Sequence, residues 1–169
     1  MTIEMAVFDA DGVLTSGALV YGAEGENYKV FHAHDGLGLK LLQQAGLKIG
    51  IISGRDSAPL RKRVEDLNLD FALLGCQDKK AALDQLCRQN EIAMDRVAFM
   101  GDDLVDYQVM LAVGMPLAPS NAVDEIKSIS QFVTKKSGGK GAVREAAEYI
   151  LSLNKLKPLD LINKAEQKQ

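Results

Sequence analysis

The stretch Ala6-Val7-Phe8-Asp9-Ala10-Asp11-Gly12 sets the strongest limit on what this chain can become. Its apolar start reads as a strand buried on both faces, the kind found in parallel sheets. Two carboxylates and a glycine follow at once. Side chains of an extended chain alternate in direction, so Asp9 and Asp11 point to one side and Ala10 to the other. Like charges held together at the end of a buried strand repel, and burial raises their pKa values. A cation resolves that conflict, and magnesium, a hard ion that takes carboxylate oxygens, suits it. Gly12 permits a sharp turn just past the acids. The simpler reading of the same residues is an Asp-Gly turn closing an ordinary strand, so the rest of the chain has to decide.

Along the chain, apolar runs alternate with helical patterns. Ile3 to Phe8 is the first expected strand. Leu19 to Tyr21 and Tyr28 to Phe31 are β-prone, with Gly22-Ala23-Glu24-Gly25 between them, so a β-hairpin is expected over about 18–31. Asp35 stands where a helix cap would stand, before an apolar face of Leu37, Leu39, Leu41 and Leu42 that Gly46 ends. Further strands are expected at Lys48 to Ile52, Phe71 to Leu74, Val97 to Met100, Met115 to Ala118 and Phe132 to Thr134. Helices between them carry Leu60, Val64 and Leu67, then Ala82, Leu83, Leu86 and Cys87, then Tyr107 to Ala112, with Asp56 or Ser57, Asp78 and Asn121 as caps. Ala142 to Leu153 is a last helix, and the basic tail over about 154–169 is expected to be loose. Strands alternating with helices give an α/β fold, a doubly wound parallel sheet with a hairpin inserted after the first strand. The 169 residues are expected to form a single domain.

Composition narrows the function. A hydrophobic share of 47% with 25% charged residues fits an ordinary globular chain. A net charge of -3 and the lack of a basic-aromatic stripe argue against nucleic acid as a partner. Cys76 and Cys87 have neither zinc nor redox spacing. With no leader pattern and no apolar run near the ~20 residues needed to span a bilayer, a cytoplasmic protein with no membrane partner is expected.

In doubly wound sheets the site lies at the carboxyl ends of the strands. Asp9, Asp11, Ser53 and Asp102 all fall just past an expected strand, and Lys79 opens a helix after another. Three acids, a hydroxyl and a lysine at one sheet edge describe a phosphoryl-transfer site. One aspartate can attack phosphorus, a second acid can protonate the leaving alcohol, and a third can complete a metal shell. Taken singly, Ser53 is also a plausible helix cap, Lys79 a solvated lysine with Lys80 as its competitor, and Asp103 and Asp106 charges at a helix N-terminus. The Ser137-Gly138-Gly139-Lys140-Gly141 loop lacks the spacing of a phosphate-binding loop.

With these residues in order, the chain resembles the haloacid dehalogenase superfamily over nearly its whole length. Asp9-Ala10-Asp11-Gly12-Val13, Ser53 in Ile51-Ile52-Ser53-Gly54-Arg55, Asp78-Lys79, and Gly101-Asp102-Asp103 match its four motifs. The resemblance implies Asp9 as nucleophile, Asp11 as acid/base, and Ser53 and Lys79 on the phosphoryl group. It also implies magnesium on Asp9, Asp102 and the Asp11 carbonyl. Of the two acids beside Asp102, Asp103 reads as standing behind those ligands and Asp106 as a charge serving the helix dipole.

Phe31-His32-Ala33-His34-Asp35-Gly36-Leu37-Gly38 and the segment from Ser137 to Glu145 look like 3-deoxy-D-manno-octulosonate (Kdo) 8-phosphate phosphatases, which supply a keto-sugar acid for lipopolysaccharide. That resemblance implies substrate contacts at Asp11, His32, His34, Asp35, Gly36, Arg55, Arg63 and Lys79. Arginines suit a substrate with a carboxylate as well as a phosphate. The family commonly has Arg where this chain has His34, and a histidine cannot fork onto an anion. Alternatives are a phosphatase for another sugar phosphate, a phosphatase-like module of sialate cytidylyltransferases, and, in a different class, a receiver-type signalling domain, whose motif order differs. Residues 12–52 and 54–78 leave no room for a separate cap domain over the site. The resemblance implies a homotetramer, hairpins at its centre, with Lys140 and Arg144 near a site in their own or a neighbouring subunit.

Overall fold

The structure is a computed structural model that describes residues 2–166. Six strands make one parallel sheet: β1 (Met5–Phe8), β4 (Lys48–Ser53), β5 (Phe71–Leu74), β6 (Val97–Met100), β7 (Met115–Ala118) and β8 (Phe132–Val133). Their order across the sheet is β5-β4-β1-β6-β7-β8. β1 is therefore flanked by parallel neighbours on both sides, with Val7 opposite Gly50 of β4 and Phe99 of β6. The order reverses beside β1, which opens a crevice at the carboxyl ends of β1 and β6.

Alternation along β1 splits the core in two. Ala6 and Phe8 face Leu39 and Leu42 of α1 (Ala33–Gln44), Leu60 of α2 (Ala58–Leu67) and Ala147 and Ile150 of α6 (Ala142–Leu153). Met5 and Val7 face Leu83 of α3 (Lys79–Asn90), Val109 of α4 (Tyr107–Ala112) and Ile126 of α5 (Asp124–Ile129). Helices cover both faces, as the sequence predicts. Fully burying one such aliphatic side chain is worth ~1.5–3 kcal/mol. β2 (Val20–Gly22) and β3 (Gly25–Tyr28) form the expected hairpin as a separate antiparallel pair, with Val20, Tyr21 and Tyr28 exposed.

Three local expectations are corrected. α1 starts at Ala33, with the His32 ring accepting the His34 N–H at 3.2 Å as its cap. Asp35, already inside that helix, instead accepts the N–H groups of Gly141 (3.2 Å) and Arg144 (2.9 Å) and so caps α6. Asn121 does not cap α5. Its Nδ2 donates to the Gly12 carbonyl (2.9 Å) and its Oδ1 accepts the Gly138 N–H (2.6 Å). The tail is not loose where it is described: Pro158–Glu166 is a helix, α7, which packs on α1 and buries Leu161. Residues 167–169 of the predicted loose tail lie outside the described residues.

Candidate active site

Asp9 leaves the sheet in line with β1. Its N–H donates to the Met100 carbonyl at 2.9 Å, and its Oδ1 accepts the Ala10 N–H at 2.7 Å. The next five residues, Ala10–Leu14, make one wide turn closed by the Thr15 N–H on the Ala10 carbonyl at 3.0 Å. Gly12 has φ +79 there, and a Cβ on it would lie 1.9 Å from Oδ2 of Asp102. Glycine is required twice over, for its conformation and for the close approach of a carboxylate from the end of β6. The last loop of the sheet seals the turn from behind: a Cβ on Gly138 would lie 1.9 Å from the Gly12 carbonyl oxygen.

α3 begins at Lys79, capped by Asp78, whose Oδ1 accepts the Ala81 N–H at 2.9 Å. That start aims a buried ammonium at two acids, with Nζ 2.9 Å from Asp9 Oδ2 and 2.7 Å from Asp106 Oδ1. Asp106, fully buried, also accepts the Asp102 N–H on its Oδ2 at 3.1 Å. Asp103 accepts the Leu104 N–H at 2.7 Å, which with Asp106 completes a capping box. Ser53, at the end of β4, is buried and its Oγ accepts the Arg55 N–H at 3.2 Å. Arg55 donates from Nη1 to the Tyr21 hydroxyl at 3.1 Å. Asp9, Asp11, Ser53, Arg55, Lys79, Asp102 and Asp103 line one cleft of about 380 Å³.

The charges in this cleft do not balance. Burial, then the Asp106 charge, push the Asp9 carboxyl up to about 6, although Lys79 and the Ala10 N–H oppose them. Burial and then Asp9, Asp106 and Asp103 push Asp102 up to about 7. Burial pulls Lys79 down, but Asp9 and Asp106 more than reverse that, so it stays an ammonium. Carboxylate oxygens of Asp9, Asp102 and Asp106 lie within 4.8 Å of one another. Both oxygens of Asp106 are taken by Lys79 and a backbone N–H, while the Asp102 carboxylate accepts no hydrogen bond among the described residues. The surplus negative charge and the all-oxygen donors fit a hard divalent cation held by Asp9 and Asp102.

The other predicted residues gather elsewhere. His32, Asp35 and Gly36 belong to the start of α1, where a Cβ on Gly36 would sit 2.5 Å from Arg63 Nη2. Arg63 stacks over Phe31, 5.5 Å from the ring centre. His34 lines a second cleft with Leu37, Lys136 and Arg144. Within one chain none of these residues reaches the cleft at Asp9. Two residues that do belong to the site have roles the sequence does not announce. Asp106 reads there as a dipole charge, though its place one helical turn past Asp102 is a usable signal. Lys29 reaches in from the hairpin, its Nζ 2.5 Å from Asp11 Oδ1, and nothing in its local sequence marks it.

Residues 75–146 match a family model for haloacid dehalogenase-like hydrolases. The 3-deoxy-D-manno-octulosonate 8-phosphate phosphatase of Haemophilus influenzae is 40% identical over 149 residues, 88% of this chain and 83% of that protein. The enzyme of the same name from Escherichia coli K12 is 34% identical over 88% of this chain and 79% of its own length. The crystal structure of the Moraxella catarrhalis enzyme, in complex with magnesium, phosphate and Kdo, superimposes with a TM-score of 0.86 at 37% identity, covering 89% of this chain and 86% of that one.

Proposed function

The chain belongs to the 3-deoxy-D-manno-octulosonate 8-phosphate phosphatases of the haloacid dehalogenase-like hydrolases, and we propose that it hydrolyses Kdo 8-phosphate through a phosphorylated Asp9. One observation carries this reading: Asp9 and Asp11 stand at the end of the central strand in the cleft that also holds Ser53, Lys79 and Asp102. A carboxylate oxygen of Asp9 attacks phosphorus and the bond to the sugar oxygen breaks. Asp11 gives that oxygen a proton, then takes one from the water that hydrolyses the aspartyl phosphate. Ser53 and Lys79 hold the phosphoryl oxygens, and Lys79 also keeps Asp9 ionised. Asp9, Asp102 and the Asp11 carbonyl would hold magnesium, with Asp103 behind them; when bound, the ion supplies positive charge against the transferring group.

His32, His34 and Arg63 contact substrate, in this reading, across a subunit boundary, because they do not reach the cleft of their own chain; Asp35 and Gly36 are buried and shape that surface from beneath rather than touching substrate. The exposed Val20, Tyr21, Tyr28 and Val30 of the hairpin supply an apolar surface for a homotetramer. The enzyme works in the cytoplasm, in the supply of a lipopolysaccharide precursor; no helix among the described residues is long and apolar enough to cross a membrane. His34 in place of the family's usual Arg favours keeping other sugar phosphates in the test.

Phosphate release from a panel of sugar phosphates, with and without magnesium, tests the reaction. Selective turnover of Kdo 8-phosphate is expected, and its absence overturns the substrate assignment. Light scattering should give a tetrameric mass. Mixing an Asp9→Asn chain with an Arg63→Ala chain should restore part of the activity that each lacks alone.

A further inference from the structure

The two oxygens of Asp11 have unlike surroundings. Oδ1 accepts from Lys29 Nζ at 2.5 Å and from Thr15 Oγ1 at 3.3 Å. Oδ2 is buried and has no hydrogen-bond partner among the described residues, with Arg55 Nε 3.8 Å away. Lys29 sits just past β3, its side chain 1% exposed, and its Nζ also lies 2.5 Å from Oε1 of Glu26. Lysine is almost never buried this far unless paired. Burial pulls its ammonium toward neutrality, and the bonds to Asp11 and Glu26 outweigh that and raise its pKa. The hairpin touches the site a second time through the Tyr21 hydroxyl on Arg55. It is thus tied to both Asp11 and Arg55, two polar side chains that line the cleft.

We propose that Lys29 is a positioning residue that ties Asp11 through its Oδ1 and so holds the carboxyl group in one orientation for delivering the proton to the leaving alcohol. The proposal rests on the reading of Asp11 as acid/base. A carboxyl group free to turn about its last torsion presents either oxygen; tying one leaves a single productive orientation. As Asp9 forms its bond to phosphorus, the bond from phosphorus to the alcohol oxygen breaks, and the proton passes from the Asp11 carboxyl group to that oxygen. Negative charge appears on Asp11 at that moment, with an ammonium already 2.5 Å from its Oδ1. The hairpin is then part of the reaction apparatus as well as an assembly surface.

The test compares two leaving groups. Kdo 8-phosphate releases an alkoxide that needs a proton, whereas 4-nitrophenyl phosphate releases an anion that does not. First-turnover rates isolate formation of the aspartyl phosphate. Lys29→Met should lose roughly 10- to 100-fold on the sugar phosphate, the range of a general acid used less well, and less than about 3-fold on the aryl ester. Lys29→Arg should recover most of the loss. The double variant Lys29→Met with Glu26→Gln removes the Glu26 charge that the single variant strands and should fold with the same selective loss. Equal losses on both esters, or no loss on the sugar phosphate, overturn the proposal. So does failure of both methionine variants to fold while Lys29→Arg is fully active, because Lys29 is then structural. A wild-type chain inert on both esters overturns the phosphatase reading itself. An active wild type, silenced on the sugar phosphate by Asp11→Asn but not selectively weakened by Lys29→Met, overturns this inference alone.

Discussion

Asp102→Asn should stabilise the metal-free protein while abolishing its magnesium response. Asp102 is pushed up from 3.8 to about 7 by burial and by the carboxylates of Asp9, Asp106 and Asp103. Between those values the folded protein binds a proton that the unfolded chain has released. Stability therefore falls as pH rises from about 4 to about 7. At roughly 1.36 kcal/mol for each pH unit of that span, the cost at pH 8 is capped at ~4 kcal/mol. Asp102 is partly exposed, and solvent screening brings the figure to ~1–3 kcal/mol. An uncharged amide of the same shape escapes this cost. Chelated Asp102→Asn protein should melt higher than wild type at pH 8, by ~2–4 °C for each kcal/mol in a chain of this size. The two should melt nearly alike near pH 4, where the wild-type carboxyl is protonated in the folded state and partly so in the unfolded one. Magnesium reverses the ranking: at a hundred times its dissociation constant it adds ~2.7 kcal/mol to a protein that binds it, and the variant should gain almost nothing. Calorimetric scans across pH, with chelator and with magnesium, make the measurement. A gain that persists unchanged at pH 4, or a less stable variant at pH 8, would refute the account of an overcharged cleft awaiting a cation.

Asp9→Asn removes the attacking oxygen and should lower phosphate release by at least ~10³-fold with an unchanged circular dichroism spectrum; near-normal turnover would exclude Asp9 as nucleophile. Lys79→Met strands Asp9 and Asp106 without their ammonium, a loss of ~3–5 kcal/mol for a broken buried pair, to be read from urea unfolding in chelator. Gly12→Ala forces a methyl group into the space of the Asp102 carboxylate at a positive φ, so titration calorimetry should find magnesium bound at least ~10-fold more weakly, the equivalent of about 1.4 kcal/mol. Leu161→Ala should cost ~2–3 kcal/mol if α7 is a packed part of the core, and next to nothing if it is a tail.

Much of this molecule is legible in its residues because parallel strands are buried on both faces and read as unbroken apolar runs. The strand ends then mark the site, and Asp9, Asp11, Ser53, Lys79 and Asp102 do line a single cleft. What stayed hidden are pairings across the chain. Asp35 and Asn121 look like caps of the helices that follow them, since local partners are all that a sequence displays. Their real partners lie 106 and 109 positions away, at Gly141 and Gly12. Lys29 has the same character, since a lysine near a hairpin turn reads as solvated until the fold turns it toward Asp11. α7 is not legible in the sequence because one buried leucine in a basic stretch is too weak a pattern to separate from a solvated tail.

The contact of Gly138 with the Gly12 carbonyl also bears on when the protein becomes active. Asn121, 109 positions past Gly12, and the Gly138 loop leave a ribosome long after the turn that carries Asp9 and Asp11, yet they clamp that turn. Strand β1 faces the same delay, because it lies between β4 and β6 and gains its second neighbour only after residue 100 has been made. Such long-range closures form late and slowly. A growing chain thus holds Asp9, Asp11, Ser53 and Lys79 well before the scaffold that sets them to work. Activity waits on those closures, so fragments that stop short of Gly138 carry Asp9, Asp11 and Lys79 but lack the clamp on their turn.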